Sequence, residues 1–202
     1  MKSGRQKAKG SAYERVVAKL FTEQFYPNGG GEFRRVPLSG GWDKRVAPGD
    51  LIALGSGVAD CIGEEQALVI DRRFPFCVEC KNYRDENVKH FFSGLYSNQS
   101  QMFNWMAQAQ RDADISGKFP LVVFKLFKAN HVCMTSKRTM HELMISFGEF
   151  AGRIFTLTQV DNGEHTITVM LFLLDDFFKW IDADTLMSWN VGATDSAKKH
   201  IM

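Results

Sequence analysis

Helix and strand patterns interleave along this chain of 202 residues, which predicts the α/β or α+β class. Three observations carry that expectation. Ser11 to Phe25 and Gln99 to Ala113 place apolar residues at helical spacing. Phe74 to Lys81 and Phe119 to Phe127 are apolar runs of strand length. Turn signals such as Tyr26-Pro27-Asn28 and Pro48-Gly49-Asp50 punctuate the segments. Apolar content of 45% with 24% charged residues is ordinary for a globular protein, so the chain reads as one domain, or one domain with an appendage.

The elements follow in order. Residues 1 to 10 are polar and basic and read as a flexible arm. Ser11 to Phe25 is a helix with Val16, Val17, Leu20 and Phe21 as its stripe. Phe33 to Pro37 is a short strand, followed by a Ser39-Gly40-Gly41 loop. Asp50 to Leu54 and Ala67 to Asp71 are strands, and Phe74 to Lys81 is another. The polar stretch Asn82 to Asn98 reads as a mobile lid. Met102, Trp105, Met106 and Ala109 form the stripe of the helix that follows. Phe119 to Phe127 is apolar enough for a central strand, with Val132 to Thr135 as a short partner. Met140 to Phe150 is a helix. Arg153 to Val160 and His165 to Leu174 form a hairpin about Asp161-Asn162-Gly163-Glu164. Asp175 to Ile181 is a short helix, acidic at its start as its dipole prefers. This divides the chain into an arm (1–10), a core (11–128), a C-terminal extension packed on the core (129–191) and a disordered tail (192–202).

Charge is unevenly spread. Up to Pro48 the basic residues are Lys2, Arg5, Lys7, Lys9, Arg15, Lys19, Arg34, Arg35, Lys44 and Arg45, against Glu14, Glu23, Glu32 and Asp43. The formal charge of the whole is only +2, so the remainder is net acidic. A basic N-terminal part suits phosphate contacts, and equally suits a solvated terminus. No apolar run reaches the length of a membrane span, and residues 2 to 10 lack the apolar stretch of an export signal. A cytoplasmic, membrane-free protein is the expectation. Cys61, Cys77, Cys80 and Cys133 show no disulfide framework and read as reduced thiols. Cys77 and Cys80 have half a zinc-knuckle spacing, but no second pair accompanies them, and on a strand they face opposite ways.

The chemistry-bearing residues cluster around one strand. Alternation puts Glu79 and Lys81 on one face of it and Cys80 on the other. A carboxylate beside an amine, joined by Asp50 from a neighbouring strand, can hold a divalent metal and activate a water. Mg²⁺ or Mn²⁺ takes hard oxygen ligands, of which Asp50 and Glu79 supply two. Each residue also has a simpler reading. Glu79 and Lys81 fit a solvated ion pair, Asp50 a turn residue after Pro-Gly, and Glu14 the N3 position of a Ser11-x-x-Glu14 capping box. Lys125, inside an apolar run, either snorkels out or reaches the site.

The order Arg34-Arg35, Ser39-Gly40-Gly41, Pro48-x-Asp50, Glu79-Cys80-Lys81 resembles the PD-(D/E)XK nuclease superfamily. Within it the chain is similar to Holliday junction resolvases of the archaeal and phage-encoded kind. The resemblance covers roughly residues 10 to 128 and implies a restriction-endonuclease-like core of helix, strands, helix and strand, an α+β mixed sheet flanked by helices. It implies a metal-dependent DNA endonuclease acting on branched or double-stranded DNA, as a homodimer. Asp50, Glu79 and the Cys80 carbonyl would be metal ligands, and Lys81 would orient or deprotonate the attacking water. Glu14, Ser39 and Gln108 would join the catalytic set, with Gln101 and Gln110 as rivals for the last place. Arg34, Arg35, Lys44 and Arg45 would touch DNA. Other nucleases of the superfamily (restriction-like, nicking or exonuclease) and a non-catalytic DNA-binding protein remain alternatives. The gap from Asp50 to Glu79 is longer than in compact resolvases, which leaves Asp60 and Asp71 as competing partners for Glu79.

Overall fold

The computed structural model describes residues 3–36, 49–56, 68–70, 73–82, 101–125, 130–161 and 165–189. Ser39, Lys44, Arg45, Asp60, Cys61, Asp71, the expected lid beyond Asn82 and the expected tail lie outside the described residues. The elements run α1 (Ser3–Phe25), β1 (Gly31–Arg35), β2 (Leu51–Ser56), β3 (Leu68–Ile70) and β4 (Phe76–Asn82). Then come α2 (Gln101–Ser116), β5 (Phe119–Lys125), β6 (His131–Ser136), α3 (Lys137–Phe147), β7 (Phe155–Asp161) and β8 (His165–Leu173). Two short helices close the order, α4 (Leu174–Trp180) and α5 (Ala183–Ser188).

Two sheets result. One is antiparallel, in the order β1-β2-β3, and the other has five strands in the order β4-β5-β6-β8-β7. Among the described strands only β4 and β5 pair in parallel, so the larger sheet is mixed. Parallel neighbours need a crossover, and α2 supplies it. The predicted mixed α/β class, with a restriction-endonuclease-like α+β arrangement, is what is found. Residues beyond 129 supply β6, β7 and β8 to this sheet, and Phe172, Leu174 and Phe177 to the main core.

Strand alternation separates two cores across the large sheet. Phe76, Val78 and Cys80 of β4, with Phe119, Leu121 and Val123 of β5, face α1 and the C-terminal helices. Val122 and Phe124 face Met102, Trp105, Met106 and Ala109 of α2. All four of those helix residues are buried, as their spacing predicts. Being covered on both faces explains why β4 and β5 read as near-continuous apolar runs. The main core is rich in aromatic edges: Phe21, Phe25, Phe33, Phe74 and Phe178 interlock, with Phe33 and Phe74 only 4.7 Å apart and nearly perpendicular.

Several boundaries differ from expectation. The first helix begins at Ser3, so most of the expected flexible arm is helical and Ser11 lies in the helix interior, not at an N-cap. The buried stripe of α1 is Tyr13, Val17, Phe21 and Phe25, whereas Val16 is 48% exposed. Helix α3 starts earlier than read, because Ser136 caps it by accepting the Thr139 N–H at 3.0 Å. Helix α5 was not foreseen. Asp182 caps it through the Thr185 N–H, a signal present as Asp-x-x-Thr. Among the described residues no helix is long and apolar enough to cross a membrane.

The two sheets meet where Gly49 and Asp50 approach β4. Gly49 has φ +73°, and a Cβ built on it would stand 2.4 Å from the Val78 carbonyl oxygen. Only glycine satisfies both the conformation and the approach. Gly49→Ala is therefore expected to lower unfolding free energy by about 2–4 kcal/mol. Urea denaturation measures it, and an unchanged midpoint would contradict the close packing of this turn on β4.

Candidate active site

Among the described strands β4 is an edge of the large sheet, with β5 as its neighbour. An edge leaves backbone donors and acceptors to be satisfied. Asp50 meets two of them. Its N–H donates to the Val78 carbonyl at 2.7 Å, and its Oδ2 accepts the Cys80 N–H at 2.8 Å. This is the bonding of a parallel bridge opposite Glu79, with a side-chain oxygen in place of the main-chain carbonyl. The Asp50 carbonyl itself accepts the Val36 N–H at 2.9 Å, which ties in the end of β1.

Glu79 projects from the face of β4 that carries α2. Its Oε1 accepts Gln108 Nε2 at 2.8 Å and is paired with Lys81 Nζ. The Lys81 amine also donates to Gln108 Oε1 at 3.3 Å, closing a triangle of three side chains. Gln108 is thus the helix glutamine that reaches the motif. Gln110 instead donates to Asp114 one turn on, and Gln101 is exposed at the helix start. Cys80 points the other way, into the main core.

Glu14 does not cap its helix. Its carboxylate pairs with Arg35 Nε, joining α1 to the end of β1. Arg34 turns outward and pairs with Glu32 at the surface. Lys125 lies on the same face of β5 as Leu121 and Val123, opposite in parity to the residues facing Gln108, so it does not join Glu79. Its charge acts on His131, its β6 register partner.

The structure therefore brings Asp50, Glu79, Cys80, Lys81 and Gln108 together, with Glu14 and Arg35 alongside. One pair went unread in the sequence. Tyr13 Oη lies 3.0 Å from His131 Nδ1, and the two rings stack. Burial pushes the Tyr13 hydroxyl up and the His131 imidazole down. No local pattern signals a contact between residues so far apart in the chain.

Asp50 and Glu79 are both buried, 6% and 3% exposed, and they repel. Burial first, then Glu79, and more weakly Glu14, push the Asp50 carboxyl up from 3.8 to about 7, while the Cys80 N–H and Lys81 hold it down. Burial likewise raises the Cys77, Cys80 and Cys133 thiols, all of which are free.

Among the described residues no group of three or more His, Cys, Asp or Glu side chains forms a metal cage. The donor set present is nevertheless suited to a hard divalent cation. Such an ion accepts one or two carboxylates and keeps several waters. Along a strand the N–H and C=O of one residue leave on the same side, so the Cys80 carbonyl faces the edge where Asp50 stands. Two repelling carboxylates and that carbonyl are hard oxygen donors with an excess of negative charge.

The raised Asp50 carboxyl sets a pH dependence in metal-free protein. Folded Asp50 holds its proton up to about pH 7, and the unfolded chain releases it near 3.8. Between those values the folded state binds more protons, so this group's contribution to stability falls as pH rises and is fully lost above 7. Asp50→Asn keeps an acceptor for the Cys80 N–H without the charge. In chelator, thermal melts should show the variant several degrees more stable than wild type at pH 8, with less than half of that advantage left near pH 5 and none below about pH 4. Parallel curves at both values would contradict the burial of an ionising Asp50.

Residues 5–188 match a family model described as "Phage putative PDDEXK endonuclease". No curated protein and no solved structure matches the chain. The match takes in α1, both sheets and the C-terminal helices, and includes every residue of the site above. On that span the chain belongs to this PDDEXK endonuclease family.

Proposed function

We propose that the chain is a divalent-metal-dependent DNA endonuclease that hydrolyses phosphodiester bonds at the edge of β4. The observation that supports it most is Asp50, bonded opposite Glu79 on the motif strand with Lys81 held against Glu79. Asp50, Glu79 and the Cys80 carbonyl would hold Mg²⁺ or Mn²⁺. When bound, the ion lowers the pKa of a water, offsets charge on the phosphate and stabilises the leaving oxygen.

The residues of the chain do the rest. Lys81 positions the attacking water and counters charge developing on the phosphate. Gln108 fixes Lys81 and Glu79 in one arrangement by touching both. Glu14, locked by Arg35, adds negative potential on the Asp50 side. Ser39, from its glycine-flanked loop, would contact the scissile phosphate, and Arg34, Arg35, Lys44 and Arg45 would contact DNA nearby.

The substrate read from the sequence is branched DNA of the Holliday junction type, in the cytoplasm of a prokaryotic or phage-infected cell. A four-way junction has two equivalent scissile positions, which a homodimer matches by symmetry.

Cleavage assays with four-way, flapped, linear and single-stranded DNA test this reading. Mg²⁺ should be required, chelator should abolish cutting, and four-way DNA should be cut fastest. Asp50→Ala, Glu79→Ala and Lys81→Ala should each cost about a thousandfold or more. Gln108→Ala, which loses only the positioning contacts, should cost about 10–100-fold. Full activity in Glu79→Ala would remove the proposal. Equal cutting of all four substrates would remove junction selectivity alone.

A further inference from the structure

A groove of about 460 Å³ opens between the outer side of α1 and strand β1. Arg15 and Lys19 line it from the helix, and Arg34 and Arg35 line it from the strand, with Glu32 as the acid among the lining residues. Arg15 and Lys19 are four apart, so they share one helix face. The Thr22 hydroxyl fastens the floor, accepting the Phe33 N–H at 2.8 Å and donating to the Ala18 carbonyl at 2.9 Å. The groove is therefore a fixed feature of the α1–β1 packing.

Its cations are available. Lys19 is 77% exposed and meets Glu23 only at 3.7 Å, and Arg34 is 60% exposed in its pair with Glu32. Exposed pairs of this kind contribute about 0–1 kcal/mol and yield readily to a polyanion. The groove also adjoins the site. Arg35 lines it while pairing with Glu14, and the next residue, Val36, donates to the Asp50 carbonyl.

We propose that this groove is a phosphate-backbone track, in which Arg15 and Lys19 hold the substrate strand at positions away from the cut. This rests on the nuclease reading of the Asp50–Glu79 site and adds to it a second, sequence-independent contact. A chain of formal charge +2 gains little from its overall field, so affinity for DNA must come from local clusters such as this one. Phosphate contacts of this type position the duplex and carry no sequence information.

The test uses the full chain and a fluorescent four-way junction in Ca²⁺, titrated at several salt concentrations. The double variant Arg15→Ala/Lys19→Ala should bind about tenfold more weakly. Its salt slope should fall by about two, one for each phosphate contact removed. A control, Arg153→Ala/Lys179→Ala, removes the same charge from exposed positions elsewhere and should leave both readouts at wild-type values. Wild-type affinity and slope in the Arg15/Lys19 variant would overturn the track, as would an equal loss in the control. Cleavage by wild-type protein, lost in Glu79→Ala, is read in parallel with Mg²⁺. If it persists while the groove variant binds normally, the track alone falls. If wild type neither binds nor cuts DNA, both readings fall.

Discussion

A carboxylate that substitutes for main chain at a strand edge is the constraint on which this molecule turns. The side of β4 away from β5 presents a carbonyl at Val78 and an N–H at Cys80, both in buried surroundings. Left unsatisfied, each would cost about 1–3 kcal/mol. Asp50 answers both, one with its amide and one with its side chain. Folding therefore aims the carboxylate opposite Glu79 before any substrate arrives. The same contacts join the small antiparallel sheet to the large mixed one, so the site and the inter-sheet junction are one structure.

That arrangement opposes stability in one respect. Two carboxylates are buried within electrostatic reach of each other, with a third, Glu14, close enough to be felt. The aromatic core on the α1 side and the α2 stripe on the other face supply the burial that tolerates this. Gln108 and Lys81 then hold Glu79 in a single position. A strand apolar on one side and carrying Glu79 and Lys81 on the other can serve as wall and as workbench because alternation keeps the two apart.

Much of this was legible in the chain. The α2 stripe and the β4 and β5 runs announce themselves through period and composition, and the Glu79-x-Lys81 spacing fixes a shared face. Asp50 was recognisable from the turn before it. Other features were hidden for physical reasons. Ser11 and Glu14 imitate a capping box, but the helix continues upstream to Ser3, so Glu14 is released to pair with Arg35. Lys125 looks anomalous in an apolar strand, yet parity sends it to the face away from Glu79. The Tyr13–His131 stack joins a helix to a strand more than a hundred positions on, and the residues between them carry no trace of it. The choice of Gln108 over its neighbours depends on the azimuth of α2 against β4, which one-dimensional spacing leaves open by a turn.

The inward aim of Cys80 has a redox consequence. A sulfur nucleophile sits between two charged residues of the motif, where an exposed thiolate would invite oxidation or alkylation and silence the strand. Here the sulfur is turned into hydrocarbon, and burial holds it in its inert, protonated form, as it does Cys77 and Cys133. Peroxide and thiol-directed reagents thus meet no thiolate at these three positions. The motif carries a cysteine in its middle place with the sulfur shielded from solvent by the core.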